Sequence, residues 1–269
     1  MSEPVMLTIA GSDPSGGAGV QADLKTATAL GVYGASVLTA LTAQNTTGVR
    51  GIHPVPASFV GEQLDAVLED LDVRAIKIGM LGDAGVIETI ASRLGERPEI
   101  PLVLDPVMVA TSGDRLIPED AVAAIVELLL PITDLATPNL PETAVLAGRD
   151  VRSPDDFEAA GRAVMARGAR HVLVKGGHLD GDEVVDLLVS ADGAGRLINA
   201  RIDTPNTHGT GCTLSAAVAS RLALGDLMAD AVVAARAYLQ RAIVASVDRR
   251  IGAGHGPVDH LVDLRGEDR

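Results

Sequence analysis

"VMLTIAGSDPSGGAGVQADLK", residues 5–25, passes from a short apolar run through a glycine-rich loop into a helical pattern. An apolar run of this length, bounded by glycine and serine, reads as a buried strand over 5–11, and the spacing beyond the loop reads as a helix over 21–30. The same alternation continues along the chain. Further strands are predicted at 35–43, 75–81, 102–108, 134–137 and 171–175, and helices at 57–71, 84–94, 119–130, 154–167, 212–224 and 228–247. Ser153, Pro154 and the acids that follow form a helix-start signal of N-cap, first-turn proline and negative first turn. Strands separated by helices imply a parallel sheet covered on both faces. One segment breaks the pattern: "EVVDLLVSADGAGRLINARID", residues 183–203, has two extended runs about an Asp-Gly turn and predicts an antiparallel hairpin. The expected fold class is therefore α/β, with a doubly wound, mostly parallel sheet carrying an antiparallel edge hairpin. No repeat, linker or low-complexity segment divides the chain, so one domain over 1–269 is expected, with the tail after Gly252 docked only on the surface.

Composition narrows the function. The chain has 269 residues, 47% of them hydrophobic, which is enough for one large core. The segment before residue 14 lacks a basic region and its apolar run is short for a signal peptide. No uninterrupted apolar stretch reaches membrane-spanning length, so a soluble, cytoplasmic protein without a membrane partner is expected. Its single cysteine, Cys212, rules out an internal disulfide and a cysteine-rich zinc site. A formal charge of -14, with no basic cluster beyond Arg249 and Arg250, excludes a nucleic-acid partner. An anionic ligand must then be held locally, for instance by backbone N–H groups at helix starts. With no Trp, two Tyr and two Phe, a ring-shaped ligand has to lie between aliphatic groups.

Ligands of open α/β sheets bind beyond the carboxyl ends of the strands. Those ends carry Gly11, Ser12 and Asp13, then Gln44 and Asn45, Gly79 and Met80, Asp105, Asn139 and Glu142, and Lys175. Lysine is scarce: there are three, and two of them, Lys77 and Lys175, interrupt apolar strands. A buried ammonium needs an acid or an anionic ligand. Lys175, followed by glycines, suits anion contact or a structural salt bridge, whereas Lys77 reads as a paired or snorkelling lysine. In "TPNLPET", Asn139 and Glu142 stand three apart at a helix entry, where they can face one hydrated Mg²⁺ or simply cap the helix. Asp105 breaks an apolar strand and needs a partner. "GAGVQA" at 17–22 matches a dinucleotide fingerprint formally, but it lies five residues past the strand and no acid follows between 24 and 61 to hold a ribose. No P-loop pattern occurs either, which leaves the loop as a wall beside a small substrate or a plain turn. "THGTGCTLSAAVASRLALG", residues 207–225, is more definite. Its glycines permit close approach, the N–H groups of 209–212 follow one another, and a helix with Leu214, Val218 and Leu222 on its inner face adds its positive end.

The stretches "TIAGSDPSGGAGVQADLK", "LTAQNTTGV", "KIGML", "LDPVMVATSG", "TPNLPE", "VLVKGGH" and "HGTGCTLSAA" occur in that order over nearly the whole chain. In this the chain resembles the hydroxymethylpyrimidine/phosphomethylpyrimidine kinases of thiamine biosynthesis, within the ribokinase-like superfamily. The resemblance implies a three-layer α/β/α fold and an enzyme that uses ATP and Mg²⁺. Such an enzyme phosphorylates 4-amino-5-hydroxymethyl-2-methylpyrimidine and then the monophosphate to the diphosphate. It also implies that Gln44 reads the aminopyrimidine edge, that Met80 and Val107 sandwich the ring, and that Gly11, Ala18 and Asp23 line the same pocket. Asn139 and Glu142 would organise Mg²⁺ through water with Asp105 nearby, and Lys175 would contact ATP phosphates. Gly209, Thr210, Gly211 and Cys212 would donate N–H groups to the transferring phosphoryl. Most sugar-kinase relatives carry Asp where Cys212 stands. At a helix N-terminus a thiol is expected to be partly thiolate near neutral pH, so Cys212 is expected to act as a weak base or to orient the hydroxyl. A homodimer is expected. A pyridoxal or pyridoxine kinase of the same superfamily is the alternative, and a non-catalytic pyrimidine or nucleotide sensor on the same fold is a third reading.

Overall fold

The computed structural model describes residues 3–108 and 118–265. Residues 109–113 of the "LDPVMVATSG" stretch lie outside the described residues. Strand β1 (Val5–Ala10) is apolar throughout because it is central: Val5, Leu7 and Ile9 face one helical layer and Met6 faces the other. Helix α1 (Gly19–Ala29) returns the chain to β2 (Tyr33–Leu38), which pairs in parallel with β1. The strand predicted over 35–43 is broken at Thr39, whose backbone N–H donates to Ala10 O and whose hydroxyl donates to Met80 O. Beyond it, β3 (Ala40–Asn45) turns back on β4 (Gly48–Pro54) to form a separate two-stranded antiparallel sheet. Strand β4 was not predicted, because "GVRGIHP" has neither an apolar run nor a regular alternation.

The chain then builds α2 (Ala57–Asp70), β5 (Val73–Ile78), α3 (Ala84–Leu94), β6 (Leu102–Leu104), α4 (Glu119–Ala124), β7 (Leu135–Ala136) and α5 (Leu140–Ala147). It continues with α6 (Phe157–Met165), β8 (His171–Val174), β9 (Glu183–Ser190), β10 (Gly193–Ala200), α7 (Thr210–Ala223) and α8 (Met228–Val244). The eight-stranded sheet has the order β10-β9-β8-β7-β6-β5-β1-β2. It is parallel from β2 to β8, and the expected hairpin, β9 and β10, adds the antiparallel edge. Side chains of α2 to α6 pack on one face and those of α1, α7 and α8 on the other, giving three layers. The chain reverses direction across the sheet between β1 and β5, the kind of switch point where such folds bind ligands.

The tail departs from expectation. Val258, Asp259 and His260 are buried, Asp259 pairs with Arg249 and Arg265, and the Tyr238 hydroxyl donates to His260 O. Apolar and ionic anchors therefore make the tail part of the packed body, where polar composition alone suggested surface docking.

The alternation of the strands also places the polar groups. Met6, Ala75, Val103, Leu135 and Leu173 point into the layer of α1, α7 and α8. Side chains two residues further along lie on the same face. These are Thr8, Lys77, Asp105, Thr137 and Lys175, a polar row crossing β1, β5, β6, β7 and β8 at their carboxyl ends. Lys77 is fully buried and pairs with fully buried Asp23 of α1 at 2.8 Å, which also accepts from Thr8 at 2.6 Å. Burial works against the Lys77 charge, and the Asp23 carboxylate overcomes it, holding the ammonium above its usual range. Removing one partner of such a pair strands the other, whereas replacing both with apolar groups does not. Lys77→Met is expected to lower the urea unfolding free energy by about 3–5 kcal/mol. The double variant Lys77→Met/Asp23→Leu is expected to recover much of that loss, and strictly additive losses would contradict the pairing.

Candidate active site

Helix α7 begins over the polar row. Gly209 precedes it in the left-handed region (φ 79), and a Cβ there would lie 1.8 Å from Gly17 O, so only glycine fits. A Cβ on Gly211 would lie 3.4 Å from both Asp105 Oδ2 and Lys175 Nζ, which places the first turn directly above those charges. The Thr210 N–H donates back to Thr207 O at 3.3 Å. Among the described residues, the N–H groups of Gly209, Gly211 and Cys212 meet no protein acceptor. The four successive donors expected from the sequence are thus three, because one is spent on closing the turn. Free amides at a positive helix end form an anion site.

The facing loop, residues 11–18, is folded around Asp13. Its carboxylate accepts from Ser15 N–H and hydroxyl (2.9 and 2.7 Å), Gly17 N–H (3.1 Å), Ala18 N–H (2.9 Å) and His208 Nε2 (2.8 Å). Burial works to raise the Asp13 carboxyl, but the hydrogen bonds from His208 and Ser15 prevail and hold it at about 2. Neither Asp13 nor His208 had a role assigned from the sequence. The only signal was a carboxylate inside a glycine-rich loop and a histidine just before another.

On the other side of α7, Lys175 Nζ reaches Asp105 Oδ1 at 2.9 Å, and Thr137 and Ser215 hydroxyls donate to the same carboxylate at 3.1 and 3.3 Å. Burial opposes the Lys175 charge, while Asp105 and Glu142 hold it above the usual range. Both Asp105 oxygens are therefore engaged, and the residue anchors Lys175. Asn139 and Glu142 form a reciprocal capping box at the start of α5: Glu142 N–H donates to Asn139 Oδ1 (3.0 Å) and Asn139 N–H to Glu142 Oε2 (2.8 Å). Asn139 is thus spent on the cap. Glu142 is buried and also accepts from the Met108 amide. Burial pushes its carboxyl up to about 7, although Lys175 pulls the other way.

No group of three or more His, Cys, Asp or Glu among the described residues could cage a metal ion. Mg²⁺ does not need such a cage, since it keeps waters and takes one or two carboxylates together with phosphate oxygens. Glu142, whose carboxyl is pushed up to about 7 by burial, fits that mode through a hydration shell.

Of the residues expected around a pyrimidine, Gly11, Met80 and Gln44 come together across the switch point. Gly11 N–H donates to Met80 O at 3.1 Å, and a Cβ on Gly11 would lie 2.9 Å from Met80 Cε, so glycine makes room for the methionine. Thr42 and Gln44 alternate inward on β3; the Thr42 hydroxyl donates to Ser12 O at 2.8 Å and lies 3.3 Å from Gln44 Oε1. Ala18, Gln44, Met80 and Val107 are all half-buried. Asp23 does not join them. It is fully buried in its pair with Lys77, so the expectation that it lines the pocket is corrected.

Cys212 is half-buried at the start of α7. Burial pushes its thiol up to about 11, with Asp23 and Asp105 adding to the rise and Lys77 and the Gly19 amide opposing it. The expected thiolate fraction at neutral pH is therefore not borne out. The helix end does favour a thiolate, but burial near two carboxylates from other elements outweighs it.

Residues 13–259 match the family described as phosphomethylpyrimidine kinase. The chain is 54% identical to the hydroxymethylpyrimidine/phosphomethylpyrimidine kinase of Rhizobium meliloti, over 96% of this chain and 97% of that one. The crystal structure of phosphomethylpyrimidine kinase from Clostridium difficile 630 superposes with a TM-score of 0.80 at 41% identity, covering 90% of this chain and 100% of that one. Pyridoxal kinase from Staphylococcus aureus, in complex with AMP-PCP and pyridoxal, gives a TM-score of 0.90 at 34% identity, covering 99% of this chain and 97% of that one. The chain belongs to the phosphomethylpyrimidine kinase family.

Proposed function

We propose that this chain phosphorylates 4-amino-5-hydroxymethyl-2-methylpyrimidine from ATP and then phosphorylates the resulting monophosphate. The observation that carries this reading is the placement of three free amides, Gly209, Gly211 and Cys212, above Lys175 and beside the pocket of Gly11, Gln44 and Met80. A kinase of this kind needs an anion site where the phosphoryl moves and an apolar slot that presents one hydroxyl to it. In the slot, Met80 and Val107 hold the ring faces, Gly11 and Ala18 let it approach the backbone, and the Gln44 amide pairs with the aminopyrimidine edge. Lys175 meets the ATP phosphates. Glu142 holds hydrated Mg²⁺, with Asn139 shaping it through the cap and Asp105 acting through Lys175. The metal ion, when bound, neutralises phosphate charge.

Phosphoryl transfer passes through a loose transition state, so positioning and charge stabilisation contribute more than a strong base. The protein's part is accordingly to direct the amides of Gly209, Gly211 and Cys212, with Thr210 closing the turn, at oxygens that gain charge. A thiol that ionises at about 11 is protonated at neutral pH, so Cys212 orients the substrate hydroxyl and does not serve as a thiolate base. We further assign the chain to the cytoplasm as a single kinase domain that pairs as a homodimer. Exposed Leu41 (44%) and Ile52 (40%) on the two-stranded sheet support self-association. Among the described residues no helix is long and apolar enough to cross a membrane.

Three outcomes are expected. Mass spectrometry of reactions with MgATP and the pyrimidine alcohol, its monophosphate, pyridoxal or pyridoxine should show phosphorylation of both pyrimidines. Exclusive turnover of pyridoxal or pyridoxine would establish the pyridoxal kinase reading, and binding without product would establish a sensor. The kcat of the wild type should show no ionisation between pH 7 and about 9 that Cys212→Ser abolishes, since a free thiol titrates near 8.5. Finally, protonation of Glu142 removes the charge that attracts a cation, so the apparent Mg²⁺ affinity should weaken as the pH falls through about 7. Glu142→Gln should bind Mg²⁺ weakly at every pH, and a wild-type affinity that is flat between pH 6 and about 8 would contradict the assignment.

A further inference from the structure

Asp13 and His208 have no part in the chemistry described above, yet they join the two loops on which it depends. The Asp13 side chain is 2% exposed and that of His208 8%, and their contact spans 195 residues of sequence. On one side, Asp13 gathers the amides of Gly17 and Ala18, which form the pocket wall. On the other, it accepts from the ring of His208, the residue immediately before the free amide of Gly209. The loops also touch directly. A Cβ on Gly17 would lie 2.4 Å from His208 Cδ2, and a Cβ on Gly209 would strike Gly17 O. From behind, the His208 N–H donates to Gly256 O at 3.0 Å, and His208 pairs with Pro257 in a parallel bridge. The buried tail thus closes the third side.

We propose that His208 is a positioning residue for phosphoryl transfer: clamped between Asp13 and the 256–257 segment, it fixes the direction of the Gly209, Gly211 and Cys212 amides. The proposal rests on reading those amides as the phosphoryl site. A glycine loop has wide backbone freedom, and donors to a transition state must be held within a fraction of an ångström. The ring hydrogen bond to an ionised, buried carboxylate supplies that constraint at the residue adjoining the first donor. Since the hydrogen bonds of His208 go to Asp13 and Gly256 and none goes to a residue of the pyrimidine slot, its loss should act on turnover more than on pyrimidine binding.

The test compares the full chain with His208→Ala and His208→Gln at saturating MgATP, together with their thermal midpoints. In His208→Ala, kcat is expected to fall about 100-fold, the scale of a 1 Å misplacement, while KM for the pyrimidine alcohol stays within about threefold. His208→Gln, whose amide can still donate to Asp13, is expected to recover at least about tenfold of that loss. A folded His208→Ala with wild-type kcat, or a glutamine variant no better than alanine, overturns the proposal. Nitrogen-15 NMR of the wild type gives a second measurement that does not depend on the variants folding. The His208 ring is expected in the Nε2–H form, with its signal moving on addition of MgAMP-PCP; an unaltered signal at saturation overturns the proposal. A wild type that makes no phosphorylated pyrimidine refutes the proposed function, whereas failure of the variants against an active wild type refutes only the role of His208.

Discussion

Across the centre of the sheet, each strand turns an apolar side chain toward α7 and, two residues later, a polar one: Thr8, Lys77, Asp105, Thr137 and Lys175. This row is the constraint from which the site follows. Two lysines and two aspartates in or beside a low-dielectric layer are tolerable only as pairs, Lys77 with Asp23 and Lys175 with Asp105. The pairing leaves the positive end of α7 directly above, with Gly211 over Asp105 and Lys175. Fold and anion site thus arise from one alternation, which reads as core in the lower strand and as chemistry at its end.

The same row decides what kind of catalyst this can be. Charge and backbone dipoles are plentiful, while the only thiol sits where burial, with Asp23 and Asp105 adding to it, raises it to about 11. Glu142, also raised by burial, is suited to meet a cation and not to hold a permanent negative charge unaided. In the proposed mechanism, an active site built in this way lowers the barrier by arranging fixed dipoles around a loose phosphoryl group, with little proton transfer required. The aliphatic slot is consistent with a chain that has no Trp and two each of Tyr and Phe.

Much of the architecture was legible in the sequence because central parallel strands are apolar on both faces and stand out against polar helix surfaces. The hairpin over 183–203 was also legible, since its two strands meet at Ala191 and Asp192 as the Asp-Gly turn indicates. Residues 35–43 read as one strand because their apolar character is continuous; the break at Thr39 comes from hydrogen bonds to Ala10 and Met80, which are remote in sequence. Strand β4 left no pattern because it is edge-like and largely exposed. In the site, Lys77, Lys175 and Asp105 were legible as charges that interrupt apolar runs. The buried position of Asp23 was not, because an acid in an amphipathic helix ordinarily faces water. Nor was the ionisation of Cys212, since the helix start is local and the carboxylates that oppose it arrive from α1 and the end of β6. Asp13 was legible only as a polar residue at a strand end and His208 carried no signal of its own, because only the fold brings them together.

The central claim is that the free amides at the start of α7 receive the phosphoryl group in transit. A crystal structure with MgADP, aluminium fluoride and the pyrimidine alcohol tests it most directly. The fluoroaluminate is predicted to sit within hydrogen-bond distance, about 3 Å, of the Gly209, Gly211 and Cys212 nitrogens, with Lys175 against the nucleotide phosphates. A fluoroaluminate bound elsewhere, with those three amides facing only solvent, would contradict the account.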